Sequence, residues 1–148
     1  MTHHLAEFNI ARLRAPLDAP ETAEFTSVLE AVNQIAEVSP GFVWRLTDDG
    51  ARSASYVDVY DDPLLIVNYS VWTDLESLRH FTYRSGHASY FRRRREWFED
   101  GSSRLVCWWV PAGEVPSIDE ATRRLAHLEE HGPTPHAFTF AAPFAEHD

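Results

Sequence analysis

The stretch Leu64–Trp72 (LLIVNYSVW) constrains the fold most. Its side chains alternate, Leu65, Val67, Tyr69 and Val71 pointing one way and Ile66, Asn68, Ser70 and Trp72 the other, which is the period of a β-strand. It runs straight into Thr73-Asp-Leu-Glu76, a capping-box pattern in which Thr73 closes backbone donors and Glu76 reaches back. Leu75, Leu78 and Phe81 then recur at helical spacing. A strand that turns into a helix with no linker must lay that helix back across its own sheet.

The same logic places the other elements. Leu5–Leu13 reads as a strand with Phe8 and Ile10 on one face and Glu7, Asn9 and Ala11 on the other. Asp18-Ala-Pro-Glu opens a helix carrying Phe25, Val28, Leu29, Val32, Ile35 and Ala36 on one side, and Ser39-Pro40-Gly41 closes it. Phe42–Leu46 is a short strand with Phe42, Trp44 and Leu46 together; Tyr56–Tyr60 is a possible extension. After a break at Gly86, His87–Phe98 resumes as helix. Arg104–Val110 is the last core strand, stopped by Pro111. Ser117-Ile-Asp-Glu120 repeats the capping box and opens a helix with Ile118, Ala121, Leu125 and Leu128 inward, ended at Gly132-Pro133. Phe138–Phe140 suits a short edge strand, followed by a loose tail. The order βαββαβ predicts an α+β, ferredoxin-like domain over residues 1–148, with a four-stranded antiparallel sheet, helices on one face and an extra C-terminal helix. No repeat or linker marks a second domain.

Glu7, Asn9, Asn68, Ser70 and Trp72 then share one sheet face, expected to be the one the helices leave open. Polar groups and tryptophans together on a face predict either a ligand pocket or a second subunit, and a homodimer closing two sheets into an α/β barrel supplies both. The net charge of −10 disfavours nucleic acid and anionic membranes. All thirteen basic residues are arginine, which excludes lysine Schiff-base and P-loop chemistry. Glu7, Asn9 and Arg12 interrupt the N-terminal stretch where an export signal needs an apolar run, and the single cysteine, Cys107, suits a reducing compartment, so a cytoplasmic location is expected.

The runs FNIARLRAPLD, SPGFVWRL, DDPLLIVNYSVW, YRSGHASYFRRRREWFE, LVCWWVPAG and HGPTPHAFTF resemble a bacterial family of unknown function, numbered 3291. That family looks like a branch of the dimeric α/β-barrel superfamily, alongside antibiotic-biosynthesis-type monooxygenases. The resemblance implies the ferredoxin-like fold and the homodimer. Haem-degrading members of the superfamily use an Asn on the first strand, a Trp and a haem-ligating His. Asn9 and His87 match the first and last, and Phe81 stands where the Trp would be.

The candidate site follows from these two lines. His87, between Gly86 and the aromatics Tyr90 and Phe91, can move a proton or ligate a metal near neutral pH, or simply cap its helix. Asn9 can orient a substrate; with Glu7 it can equally form a polar seam holding water. His87 and Asn9 are the catalytic candidates, and Trp72, Asn68, Glu7, Tyr83 and Trp108 the substrate-binding ones. Of Arg92–Arg95 at most two can face the core. His127-Leu-Glu-Glu-His131 has the H-x-x-E-H spacing of inverted zinc peptidases, but the third ligand there comes from a distant downstream acid and here only Glu146 and Asp148 follow, so no metal site is assigned. Cys107 reads as an inert core thiol. The expected function is a monooxygenase-like enzyme acting on a hydrophobic, aromatic small molecule in a barrel pocket. The rival is a non-catalytic binder of a small molecule or haem. No cofactor is required by any motif; haem is the one the resemblance suggests.

Overall fold

The computed structural model describes residues 2–48, 50, 52–84 and 92–146. Its centre is β1 (His3–Arg12), paired antiparallel with β3 (Leu65–Trp72) on one side and β4 (Arg104–Pro111) on the other. β2 (Phe42–Arg45) completes the sheet outside β3, giving the order β2-β3-β1-β4 of a ferredoxin-like domain. Among the described residues the helices are α1 (Ala23–Glu37), α2 (Leu75–Arg84), the short α3 (Arg94–Trp97) and α4 (Ile118–His131). None is long and apolar enough to cross a membrane.

Both faces of the sheet are covered. On one, Phe8, Tyr69, Val106 and Trp108 pack against Ala121 and Leu125 of α4 and against Ala54. The Ser117 hydroxyl accepts the Glu120 amide and caps α4 as the sequence predicts. Tyr69 donates its hydroxyl proton to the Ser117 carbonyl at 2.9 Å, pinning the helix start to the sheet. The opposite face meets α1 through Val32 and Ala36 and α2 through Leu78 and Phe81. Towards the other end of the strands Phe25 and Leu29 of α1 enclose Ala11 and Ile66 together with Trp97 and Phe98.

This arrangement corrects an expectation. Glu7, Asn9, Asn68, Ser70 and Trp72 do share one face, but α1 and α2 lie over it. The bare face expected to await a second copy is absent, because α4 fills the other side within one protomer. The physical reason is volume: Leu5, Ala11, Ile66 and Cys107 interleave with the polar residues and give α1 and α2 enough apolar surface to seat on.

Local readings change as well. Asp74 rather than Thr73 caps α2, accepting the Ser77 amide at 2.7 Å. Asp18 does not cap α1; a turn of 3-10 helix at Pro20–Thr22 leads in, and the Thr22 hydroxyl bonds back to the Pro16 carbonyl. Phe42 and Trp44 part company at a register shift in β2. Phe42 meets the Trp72 ring on the α1/α2 side and Trp44 meets Tyr69 on the α4 side, as a bulge requires. The strand extension expected over Tyr56–Tyr60 is absent: Ala54–Tyr56 form a 3-10 turn and 57–60 an irregular bend. His3 is buried at the start of β1.

Candidate functional site

A cavity of about 380 Å³ opens between the sheet and the α1/α2 layer, a volume in the range of small-molecule sites. Glu7, Asn9, Asn68 and Ser70 form its floor. They meet because the pairing register sets Glu7 opposite Ser70 and Asn9 opposite Asn68 across the β1–β3 seam. Leu29, Leu78 and Phe81 form apolar walls, Tyr83 and Arg94 also line it, and the segment Thr139–Ala141 closes one side.

Glu7 is the unusual group. Its side chain is only 4 % exposed, yet it carries a carboxyl. Burial pushes that carboxyl up to about 7, against the opposing pull of hydrogen bonds from Asn9 and Ser70. Asn9 donates its Nδ2 proton to Glu7 Oε1, and Ser70 Oγ reaches Glu7 Oε2 at 3.3 Å. Trp72 Nε1 in turn donates to Ser70 Oγ at 3.0 Å. A carboxyl poised near neutrality, held by side chains that are themselves held, can take a proton from a bound molecule and return it.

Cys107 sits opposite Glu7 on β4. Burial, with Glu7 adding to it and Arg79 opposing, holds the thiol well above its ordinary value, so it stays protonated and unreactive.

The other candidates divide. Asn68 and Tyr83 line the cavity, with Tyr83 half exposed at the mouth. Trp72 lies behind the wall: it stacks on Phe81 at 5.0 Å and does not reach the cavity. Trp108 is a correction. It points to the α4 face, where Arg124 lies over its ring, because strand alternation puts it with Val106 and Val110. Trp109 faces the α1/α2 side but is taken up by Phe138 and by donating to the Phe144 carbonyl. His87 lies outside the described residues. Of the arginine run, Arg94 reaches the cavity lining, while Arg93 bridges Glu24 and Glu96 at the surface. His127 and His131 stack at 4.5 Å, but among the described residues no group of three or more side chains could hold a metal ion.

The C-terminal wall begins where a short edge strand was expected: Phe138 exchanges two backbone hydrogen bonds with Cys107 of β4, and Arg79 donates to the Phe140 carbonyl at 2.9 Å. Beyond it, where a loose tail was expected, Trp109 holds the Phe144 carbonyl and His3 meets Glu146. The only signal in the sequence was the spacing of Phe138, Phe140 and Phe144, three aromatics too many for a solvated end.

The model of a family described as "Domain of unknown function (DUF3291)" matches residues 4–148. The chain belongs to the DUF3291 family. No curated protein matches the sequence of this DUF3291 chain. Solved structures do match its fold. SnoaB, a cofactor-independent oxygenase from Streptomyces nogalater, is 19 % identical with a TM-score of 0.51, covering 77 % of this chain and 97 % of its own. A monooxygenase from the gene ActVA-Orf6 of Streptomyces coelicolor, solved with the ligand nanaomycin D, is 14 % identical with a TM-score of 0.51, covering 78 % and 94 %. The NE2512 protein of unknown function from Nitrosomonas europaea is 11 % identical with a TM-score of 0.53, covering 78 % and 97 %. At these identities the likeness establishes the fold of this DUF3291 chain, the ferredoxin-like type of the antibiotic-biosynthesis monooxygenases.

Proposed function

We propose that this chain is an acid–base enzyme that binds a hydrophobic, aromatic molecule in the Glu7 cavity and withdraws a proton from an activated carbon. The observation that carries the reading is Glu7: a buried carboxyl near pH 7 on a polar floor beneath the apolar walls of Leu29, Leu78 and Phe81. Asn9 holds the carboxylate in place, and Asn68, beside it, offers its amide to the oxygen on which the carbanion's charge collects. Two neighbours of the same fold are oxygenases by name, which supports oxygenation as the step that follows. With a fused-ring aromatic ketone the balance closes without a further reductant. The deprotonated ring CH2 reacts with O2, one oxygen atom becomes the new C=O, and the other leaves with the two hydrogens as water. His87, where the resemblance puts a haem-ligating histidine, is kept in this reading as a second proton carrier.

The homodimer expected from the resemblance belongs to the same proposal. Since α4 already covers the Phe8–Trp108 face, pairing would use the rim of the sheet, and sedimentation at micromolar concentration reads it directly; a strict monomer removes the dimer and leaves the pocket chemistry untouched.

The base is tested without oxygen. Under nitrogen in D2O, the wild-type protein accelerates exchange of the acidic CH2 hydrogens of anthrone, followed by proton NMR, and Glu7→Gln loses about 100-fold or more of that acceleration. Exchange that persists in Glu7→Gln at the wild-type rate overturns Glu7 as the base. Anthrone oxidation in air, followed by O2 uptake, then reports the second step.

A further inference from the structure

Ser70 and Trp72 sit two residues apart on β3, on the face that carries Glu7. The indole N–H is a donor only, and a serine hydroxyl has one proton to give. Trp72 Nε1 is 3.0 Å from Ser70 Oγ, and Ser70 Oγ is 3.3 Å from Glu7 Oε2. With the indole proton already on one lone pair of Oγ, the serine's own hydrogen is left to point at the carboxylate. The three groups form a one-way series of donors that ends on Glu7, and Asn9 adds a fourth from the opposite side.

We infer that Trp72 is a positioning residue for the Glu7 base: it turns the Ser70 hydroxyl towards the carboxylate and so favours the ionised form, without touching a ligand. The surroundings of the indole suit that task. It is 1 % exposed, stacked on Phe81 with 27° between the planes and set edge-on to Phe42 at 5.6 Å, so its N–H has one fixed direction. Phe81, which lines the cavity, stands between the indole and any occupant. Burial acts most on the Glu7 carboxyl, the Asn9 bond next, and the Ser70 bond that Trp72 orients after it. Other titratable and charged groups lie around it: from β4 there are Cys107, kept neutral by burial, and Arg104, which lines the cavity and pairs with Glu129. From α2 there are Arg79, bonded to the Phe140 carbonyl, and Tyr83 at the mouth; Arg94 lines the cavity beyond α2, and α1 contributes only Leu29 to the lining.

The inference rests on Glu7 being the base, but its test reads Glu7 directly. With glutamate labelled at the carboxyl carbon and the Glu7 signal assigned by its loss in Glu7→Gln, carbon NMR gives the Glu7 titration midpoint. Ser70→Ala and Trp72→Phe each raise it by about one pH unit, the size expected for one lost hydrogen bond to a charge. The double variant rises no further than Ser70→Ala alone, and Ser70→Thr restores the wild-type midpoint. Replacing Trp72 by 3-benzothienylalanine removes the N–H and keeps the ring, so the result does not depend on Trp72→Phe folding well. A wild-type midpoint in the benzothienylalanine protein, or additive shifts in the double variant, overturns the positioning role. If the midpoints move as expected while proton exchange is absent, the Trp72–Ser70–Glu7 series stands and the base assignment falls.

Discussion

Replacing Glu7 by Gln tests the site through folding stability, with no ligand needed. Burial raises the carboxyl from its ordinary value of 4.5 to about 7 in the folded chain. The folded state therefore holds a proton that the unfolded chain releases above pH 4.5, and stability falls as pH rises through this window. Each pH unit is worth about 1.4 kcal/mol. Between pH 5 and pH 8 the wild type loses about 2–3 kcal/mol from this one group, most of it by pH 7. Glu7→Gln keeps the size of the side chain, accepts through one position where the carboxylate accepts through two, and has nothing to titrate. Urea unfolding of both proteins at pH 5, 6, 7 and 8 isolates the effect, because all other titrating groups cancel in the difference. The variant gains on the wild type by about 2–3 kcal/mol across the series, or about 5–10 °C in Tm for a chain of this size. Parallel stability curves refute the reasoning: Glu7 would then ionise as easily in the fold as out of it, and could not serve as a neutral-pH base.

Gly41 has φ +84°, and a Cβ there would lie 2.2 Å from Ser77 Oγ and 2.8 Å from Thr73 Oγ1; Gly41→Ala costs about 2–3 kcal/mol in chemical denaturation by splitting β2 from the start of α2. Phe140→Ala removes a cavity wall and its edge contact with Tyr83, weakening binding of a fluorescent aromatic probe about tenfold while the melting temperature moves only a few degrees.

The fold was largely legible because period-2 alternation and capping patterns are local. Leu65–Trp72 and the Ser117 cap appear where their own residues put them. The polar set on β1 and β3 was legible too, since alternation alone puts Glu7 with Asn9 and Asn68 with Ser70. What stayed hidden depends on chain-distant contacts. Whether a helix or a second copy lies over that set is decided by how Leu5, Ile66 and Cys107 seat α1 and α2. Trp108 and Trp109 are adjacent and equally apolar, so nothing local says which face each takes; only the pairing of Trp108 with Ala6 and Trp109 with Leu5 settles it. The register shift between Phe42 and Trp44 carries no proline or glycine to announce it.

Glu7 stands on β1, the strand flanked by partners along both edges, while the walls around it come from α1, α2, the Arg94–Phe98 segment and the Thr139–Ala141 strap. Under the proposed function, the carboxyl that moves the proton and the surfaces that choose the ligand belong to different parts of the molecule. Substitutions in the walls then reshape the cavity without moving the base, so what the pocket accepts can change while the proton-transfer step stays the same.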